Sequence, residues 1–305
     1  MNIIVQNVFV FLSIALSTNQ CRATRPDFTG NTIPEIRIQE LGGDVTVRNG
    51  DMLNCAANGI VGGVIRKFSD GNSIPNPLGY SHSALAVLEY PRWVHELILK
   101  KTPNEENKGQ NCTIPEEAGN YMREALELCY GNDIRLAGGG KSVLRAFTIE
   151  ASGTATMVLR GGGPCALLLP FIGWLANYDG SVYQRHVYLN IQSELSRQFY
   201  EEHIGRSYEG LGTLSELVRA VKGRNNEENT TRVFCSELAG LFYRRVIETY
   251  CRGEDSFEQM LRRYRNVSNL IPELYCSQLG DRDLLHGIAG PEIVLKEYKK
   301  HCILL

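Results

Sequence analysis

Cys235 stands at the head of the run FCSELAGLFYRRVIETY, directly after Arg232-Val233-Phe234 and at the start of a strongly helical pattern. A thiol in the first turn of a helix faces unpaired N–H groups and the positive end of the dipole, and both favour the thiolate. The same N–H groups can donate to an oxyanion during acyl transfer. The competing reading is a small buried hydrophobe, the usual fate of a free cysteine. The chain holds nine cysteines, an odd number, with no CxxC pair and no tight Cys/His cluster. That excludes a fully paired disulfide framework, argues against a zinc site, and leaves at least one thiol for other work.

A nucleophilic thiol needs a base. Among six histidines, His82 opens the small-residue run SHSALAVLE, and strand alternation puts His82, Ala84 and Ala86 on one face, where nothing bulky blocks a partner helix. His95, His186 and His203 are the rivals. Glu150 ends the run AFTIE with Thr148 on its face, and a carboxylate there can orient an imidazole as the third member of a triad. Gly138-Gly139-Gly140-Lys141-Ser142 lacks the first glycine of a phosphate-binding loop, because position 135 is Arg, and reads as a turn. No G-x-S-x-G elbow, HExxH or EF-hand loop occurs, and no cofactor or metal is called for.

These residues need a sheet and a helix to meet. Strands are expected at 35–38, around 45–47, at 81–89, at 144–150 with a continuation over 152–160, and at 182–189. Asn49-Gly50-Asp51 signals a turn ahead of Met52-Leu53, and residues 59–66 form a short helix or strand. Residues 91–143 read as an insertion bordering the substrate cleft, with helical patterns around 93–99 and 115–129. Further helices are expected at 191–202, 212–222 and 235–251, the last with Leu238, Leu241, Phe242 and Val246 at helical spacing. Residues 253–305 read as a mostly helical, polar extension of a catalytic domain spanning 24–252. The expected class is α+β: a small, mainly antiparallel sheet packed against the nucleophile helix.

Taken in chain order, Asn49-Gly50-Asp51-Met52, Ser81-His82-Ser83-Ala84, Ile149-Glu150-Ala151 and Phe234-Cys235-Ser236-Glu237-Leu238 resemble the circularly permuted NlpC-like papain-fold hydrolases of the YiiX-like branch. There a "GD" strand precedes the catalytic His, a carboxylate follows on the next strand, and the Cys comes last, opening a "CSEL" helix. Gly205-Arg206-Ser207-Tyr208-Glu209 is similar to the family's "G-x-x-Y-[DE]" stretch, which implies that Tyr208 lines the substrate pocket. The chain departs from the pattern at Ala84, where the family usually has Gly, and in the insertion. The resemblance implies a permuted papain-like fold and a thiol peptidase, amidase or acyl hydrolase. Cys235 would be its nucleophile, His82 its base and Glu150 the residue that orients His82. It implies a peptide, peptidoglycan or lipid acyl substrate; a related lecithin:retinol-type acyltransferase and a non-catalytic binding module are the alternatives.

Composition adds bounds. Hydrophobic residues make up 43% and charged residues 22%, as in a globular protein with a real core, and the net charge of −2 gives no reason to expect a nucleic-acid partner. Residues 3–17 form an apolar run followed by small residues, as in a signal peptide without its basic start, and residues 1–23 are read as such a segment, implying export or secretion. The terminal Cys302-Ile303-Leu304-Leu305 fits a prenylation box behind Lys296, Lys299 and Lys300, the alternative route to a membrane.

Overall fold

The computed structural model describes residues 33–38, 45–57, 80–104, 112–135, 143–152, 165–208, 232–252, 257–264, 284–285 and 288–297. Strands β1 (Glu35–Ile38) and β2 (Val45–Arg48) form a two-stranded ribbon. Strands β3 (Asp51–Ala57), β4 (His82–Glu89), β5 (Arg145–Ser152), β6 (Cys165–Pro170), β7 (Gly180–Val187), β8 (Ser207–Tyr208), β9 (Arg232–Val233) and β10 (Ala289–Lys296) build one sheet in the order β10-β7-β3-β4-β5-β6-β8-β9. Neighbours are antiparallel except β8 and β9, which are parallel. The class is α+β, with a sheet larger than the small one expected.

β4 and β6 are buried along their whole length and β3 along all but its last residue, because helices cover both faces of the sheet. Helices α1 (Pro91–Lys101) and α2 (Glu116–Arg135) connect β4 to β5, and both were legible as helical patterns. Pro91 suits the first position of α1, where no N–H is needed. The Tyr130 ring of α2 meets Phe147 edge-on at 5.5 Å. Phe147 points away from the Thr148/Glu150 face by strand alternation. α2 therefore packs behind the sheet, with α1 against it. α3 (Phe171–Asn177), not anticipated, joins β6 to β7, and α4 (Ser193–His203) follows β7.

α5 (Cys235–Tyr250) packs on β4 and β5. The alanines at 84 and 86 let the helix approach closely. Its first turn is closed by Glu237, which accepts a 3.4 Å hydrogen bond from the Phe234 N–H. The Tyr243 hydroxyl donates to the Gly50 carbonyl at 2.8 Å and ties α5 to the turn before β3. In that turn Gly50 adopts φ +84°, the left-handed region that side chains disfavour. Asn49 donates to the Ile191 carbonyl and to Ser196, and accepts from the Leu88 N–H.

The expected helical extension is only partly so. α6 (Phe257–Arg263) is helical, but residues 289–296 form β10, which pairs with β7 as an edge of the main sheet. Its Ile-Val-Leu run, with two β-branched residues, carries a strand signal that the surrounding charge obscured. The expected elements at 59–66, 153–160 and 212–222, the glycine run at 138–142, Glu209, the apolar segment 1–23 and the Cys302 tail lie outside the described residues. No described helix is long and apolar enough to cross a membrane.

Candidate active site

β3, β4 and β5 lie side by side, with Cys55 opposite His82 and Leu85 opposite Ile149. Alternation then places Cys55, His82 and Glu150 on one face, at the end of the sheet where β4 begins and β5 ends. Glu150 sits diagonally across from His82, and their side chains meet: His82 Nε2 lies 2.7 Å from Glu150 Oε2. Both are buried, with 9% and 3% of their surface exposed. With Nε2 on the carboxylate, Nδ1 is the ring nitrogen left for a third partner. Cys235 is the other polar neighbour of the ring: the His82 imidazole and the backbone N–H groups of Ser83 and Ser236 all act on its sulfur.

The electrostatics follow from this packing. For Cys235, burial pushes the thiol pKa up. The His82 charge and hydrogen bond, with the two backbone N–H donors, outweigh burial and hold it below 9.0. For His82, burial pulls down; the Cys235 charge and hydrogen bond, then the Glu150 hydrogen bond and charge, lift it from 6.5 to about 10. Thiolate and imidazolium each create the field that the other needs.

Tyr208 also reaches the cluster. Burial raises its phenol, and the negative charges of Cys235 and Glu150 raise it further, so it stays a protonated donor. It arrives there on β8, parallel to β9 with Tyr208 opposite Val233, two residues before Cys235. Gly205, at φ +81°, makes the bend into β8; a Cβ there would lie 2.3 Å from the Thr113 carbonyl oxygen.

The rival histidines belong elsewhere. His186 Nδ1 lies 2.8 Å from Asp51 Oδ2. His203 Nδ1 donates to the Phe199 carbonyl at 2.9 Å, its ring stacked on Phe199. His95 lines a cleft of about 640 Å³ with Glu117, Asn120, Arg123, Glu124 and Glu127 of α2, sharing no residue with the His82 cluster. Asp51, the acid of the "GD" pair, is a structural hub: it accepts from the N–H groups of Arg48 and Val187 and from Gln184 and His186.

Two further residues escaped the sequence reading. Cys55 lies at the site with its thiol held protonated, chiefly by burial and next by the nearby Glu150 charge. Tyr178 stacks beside His82, with ring centroids 6.2 Å apart and planes 22° from parallel. Its phenol and the Cys55 thiol lie near enough to act on each other's titration. Only the β3–β4 register brings Cys55 opposite His82, and no local pattern encodes that. For Tyr178 the following Asp179-Gly180 turn signal was available. Among the described residues, no group of three or more His, Cys, Asp or Glu side chains could hold a metal ion. No protein-family model, curated protein or solved structure matches the chain.

Proposed function

We propose that the protein is a cysteine-dependent hydrolase of amide, ester or thioester bonds, built on a permuted papain-like fold of the NlpC-like, YiiX-like kind. The observation that carries this reading is one buried imidazole, His82, bonded to Glu150 and lying beside a thiol at a helix start, each shifting the other's titration. A structural cysteine has no need of such a partner. The order His82, Glu150, Cys235 along the chain is the permuted one, and a mainly antiparallel sheet packed on the nucleophile helix suits that fold.

In this mechanism the Cys235 thiolate adds to the substrate carbonyl carbon, forming a C–S bond and an oxyanion that backbone N–H groups near Cys235 steady. The oxyanion collapses, and the leaving amine, alcohol or thiol takes its proton from the His82 imidazolium. The imidazole, now neutral, deprotonates a water that attacks the acyl-enzyme. The acid departs and the thiolate returns. Glu150 keeps the ring in one orientation through both half-reactions, as the carboxylate of a triad does. Tyr208 lines the acyl pocket. Transfer to an acceptor other than water uses the same acyl-enzyme, and product analysis with added alcohols or amines separates the two outcomes. For compartment we propose export through the apolar segment 1–23, with prenylation at Cys302 as the alternative; intact masses of both termini of the expressed chain distinguish them.

The test is competitive alkylation with iodoacetamide followed by peptide mass spectrometry. Cys235 is expected to react fastest of the nine cysteines, and His82→Ala to erase that preference. Comparable labelling of several cysteines in the wild-type chain would remove the basis for a triad.

A further inference from the structure

Tyr178 occupies a position that the mechanism above leaves without a role. It follows α3, whose last carbonyls have no partner within so short a helix. The Lys296 ammonium on β10 supplies one, donating to the carbonyls of Leu175 and Ala176 at 3.1 Å each and of Tyr178 itself at 2.6 Å. The backbone of Tyr178 is thus fixed from the far edge of the sheet. Its side chain is held as well: the ring packs on Trp174 at 5.3 Å. What this framed ring presents to the site is an aromatic plane lying nearly parallel to the imidazole of His82.

We infer that Tyr178 is a positioning residue for His82, a wall anchored by Lys296 and Trp174 that stops the imidazole from rotating and keeps water from the ion pair. The inference rests on the thiolate–imidazolium reading of the site. Its physical content is twofold. A ring bonded at Nε2 to Glu150 still needs a barrier against rocking if Nδ1 is to stay on the sulfur, and a packed aromatic plane supplies one without competing for either nitrogen. Excluding water also lowers the local dielectric, which strengthens the attraction between His82 and its two anionic neighbours. The phenol keeps its proton, because burial and the negative charges around it disfavour the phenolate; Tyr178 therefore adds no charge to the site. Lys296 acts at a distance from the chemistry, through the chain segment it ties down.

The full-length protein tests this with second-order iodoacetamide rates at Cys235, read by mass spectrometry from pH 5 to 10. The series comprises wild type, Tyr178→Ala, Tyr178→Phe and Lys296→Met. In Tyr178→Ala the titration midpoint of Cys235 is expected to move up by about one pH unit, so that its rate at pH values below the wild-type midpoint falls about tenfold while its rate at pH 10 is kept. Tyr178→Phe, which retains the plane and loses only the hydroxyl, moves in the same direction by less. Lys296→Met leaves every aromatic atom in place and also shifts the profile upward; it decides the matter if Tyr178→Ala does not fold. A wild-type profile in both Tyr178→Ala and Lys296→Met overturns the inference, as does a loss of rate equal below the wild-type midpoint and at pH 10, the mark of general damage. If the wild-type protein shows no His82-dependent preference at Cys235, the thiolate–imidazolium reading falls and takes this inference with it. A normal wild type with unshifted variants sinks the role of Tyr178 alone.

Discussion

His82 owes its behaviour to having two anionic neighbours in a space with little water. With its pKa held at about 10, the imidazolium is charged throughout the neutral range. Its contribution to stability is complete below the free imidazole's 6.5 and is lost as pH rises through about 10. Cys235 works from the opposite side: its pKa is depressed, so the thiolate contributes above the free thiol's 9.0 and loses that contribution as pH falls through the lowered value. The alkylation rate of Cys235 should therefore reach half its maximum below pH 9.0. In Glu150→Gln, which keeps a hydrogen bond and removes the charge, that midpoint should move upward; a midpoint unchanged by the substitution would mean that Glu150 does not act on the pair. His203 shows the converse. Burial first, then the Arg206 charge, lower it to about 4, so it is neutral in the fold. Between pH 6.5 and 4 the unfolded chain takes up a proton that the folded chain refuses, and stability should fall by about 3 kcal/mol across that window. Urea titrations of wild type and His203→Leu at several pH values would show it as a difference confined to that range.

At the scale of elements, the site depends on parts that lie outside it. Asp51 is fully buried and joins β2, β3 and β7 by accepting four hydrogen bonds, so its removal strands several donors at once. Asp51→Ala should cost about 3–5 kcal/mol in urea unfolding, while Asp51→Asn, which retains an acceptor oxygen, should cost less. Equal losses would show that the carboxylate's second oxygen carries little. The helix that presents Cys235 was legible as soon as its apolar positions were counted, because a half-buried helix must repeat every 3.6 residues. β6 and α3 were not. Cys165-Ala-Leu-Leu-Leu-Pro170 is buried on both faces, so it has no alternation to mark it. The seven residues of α3 are too few to show a helical period.

Across the whole molecule, the residues of the site come from strands and a helix far apart in the chain, and the last strand closes the sheet. β10 covers β7, receives Arg185 at the Gly290 carbonyl and places Glu292 on the Tyr80 hydroxyl. A chain ended at Ile288 should melt lower and self-associate, because β7 would become a bare edge and Lys296 would be lost from α3. Thermal unfolding with size-exclusion chromatography measures both effects, and an unchanged melt would show β10 to be dispensable. The sequence by itself determined the mixed α+β class, the helix that begins at Cys235 and the two helices between β4 and β5, and it put His82 and Glu150 forward as candidates to meet the thiol. Each of these follows from residue type, periodicity or order along the chain, which are local or one-dimensional properties. Only the tertiary structure decided that β10 belongs to the sheet, that the insertion helices lie behind it, and that Cys55 and Tyr178 stand at the site. Those facts depend on strand register and on which face a helix covers, and both are settled by packing between segments that no short stretch of sequence contains.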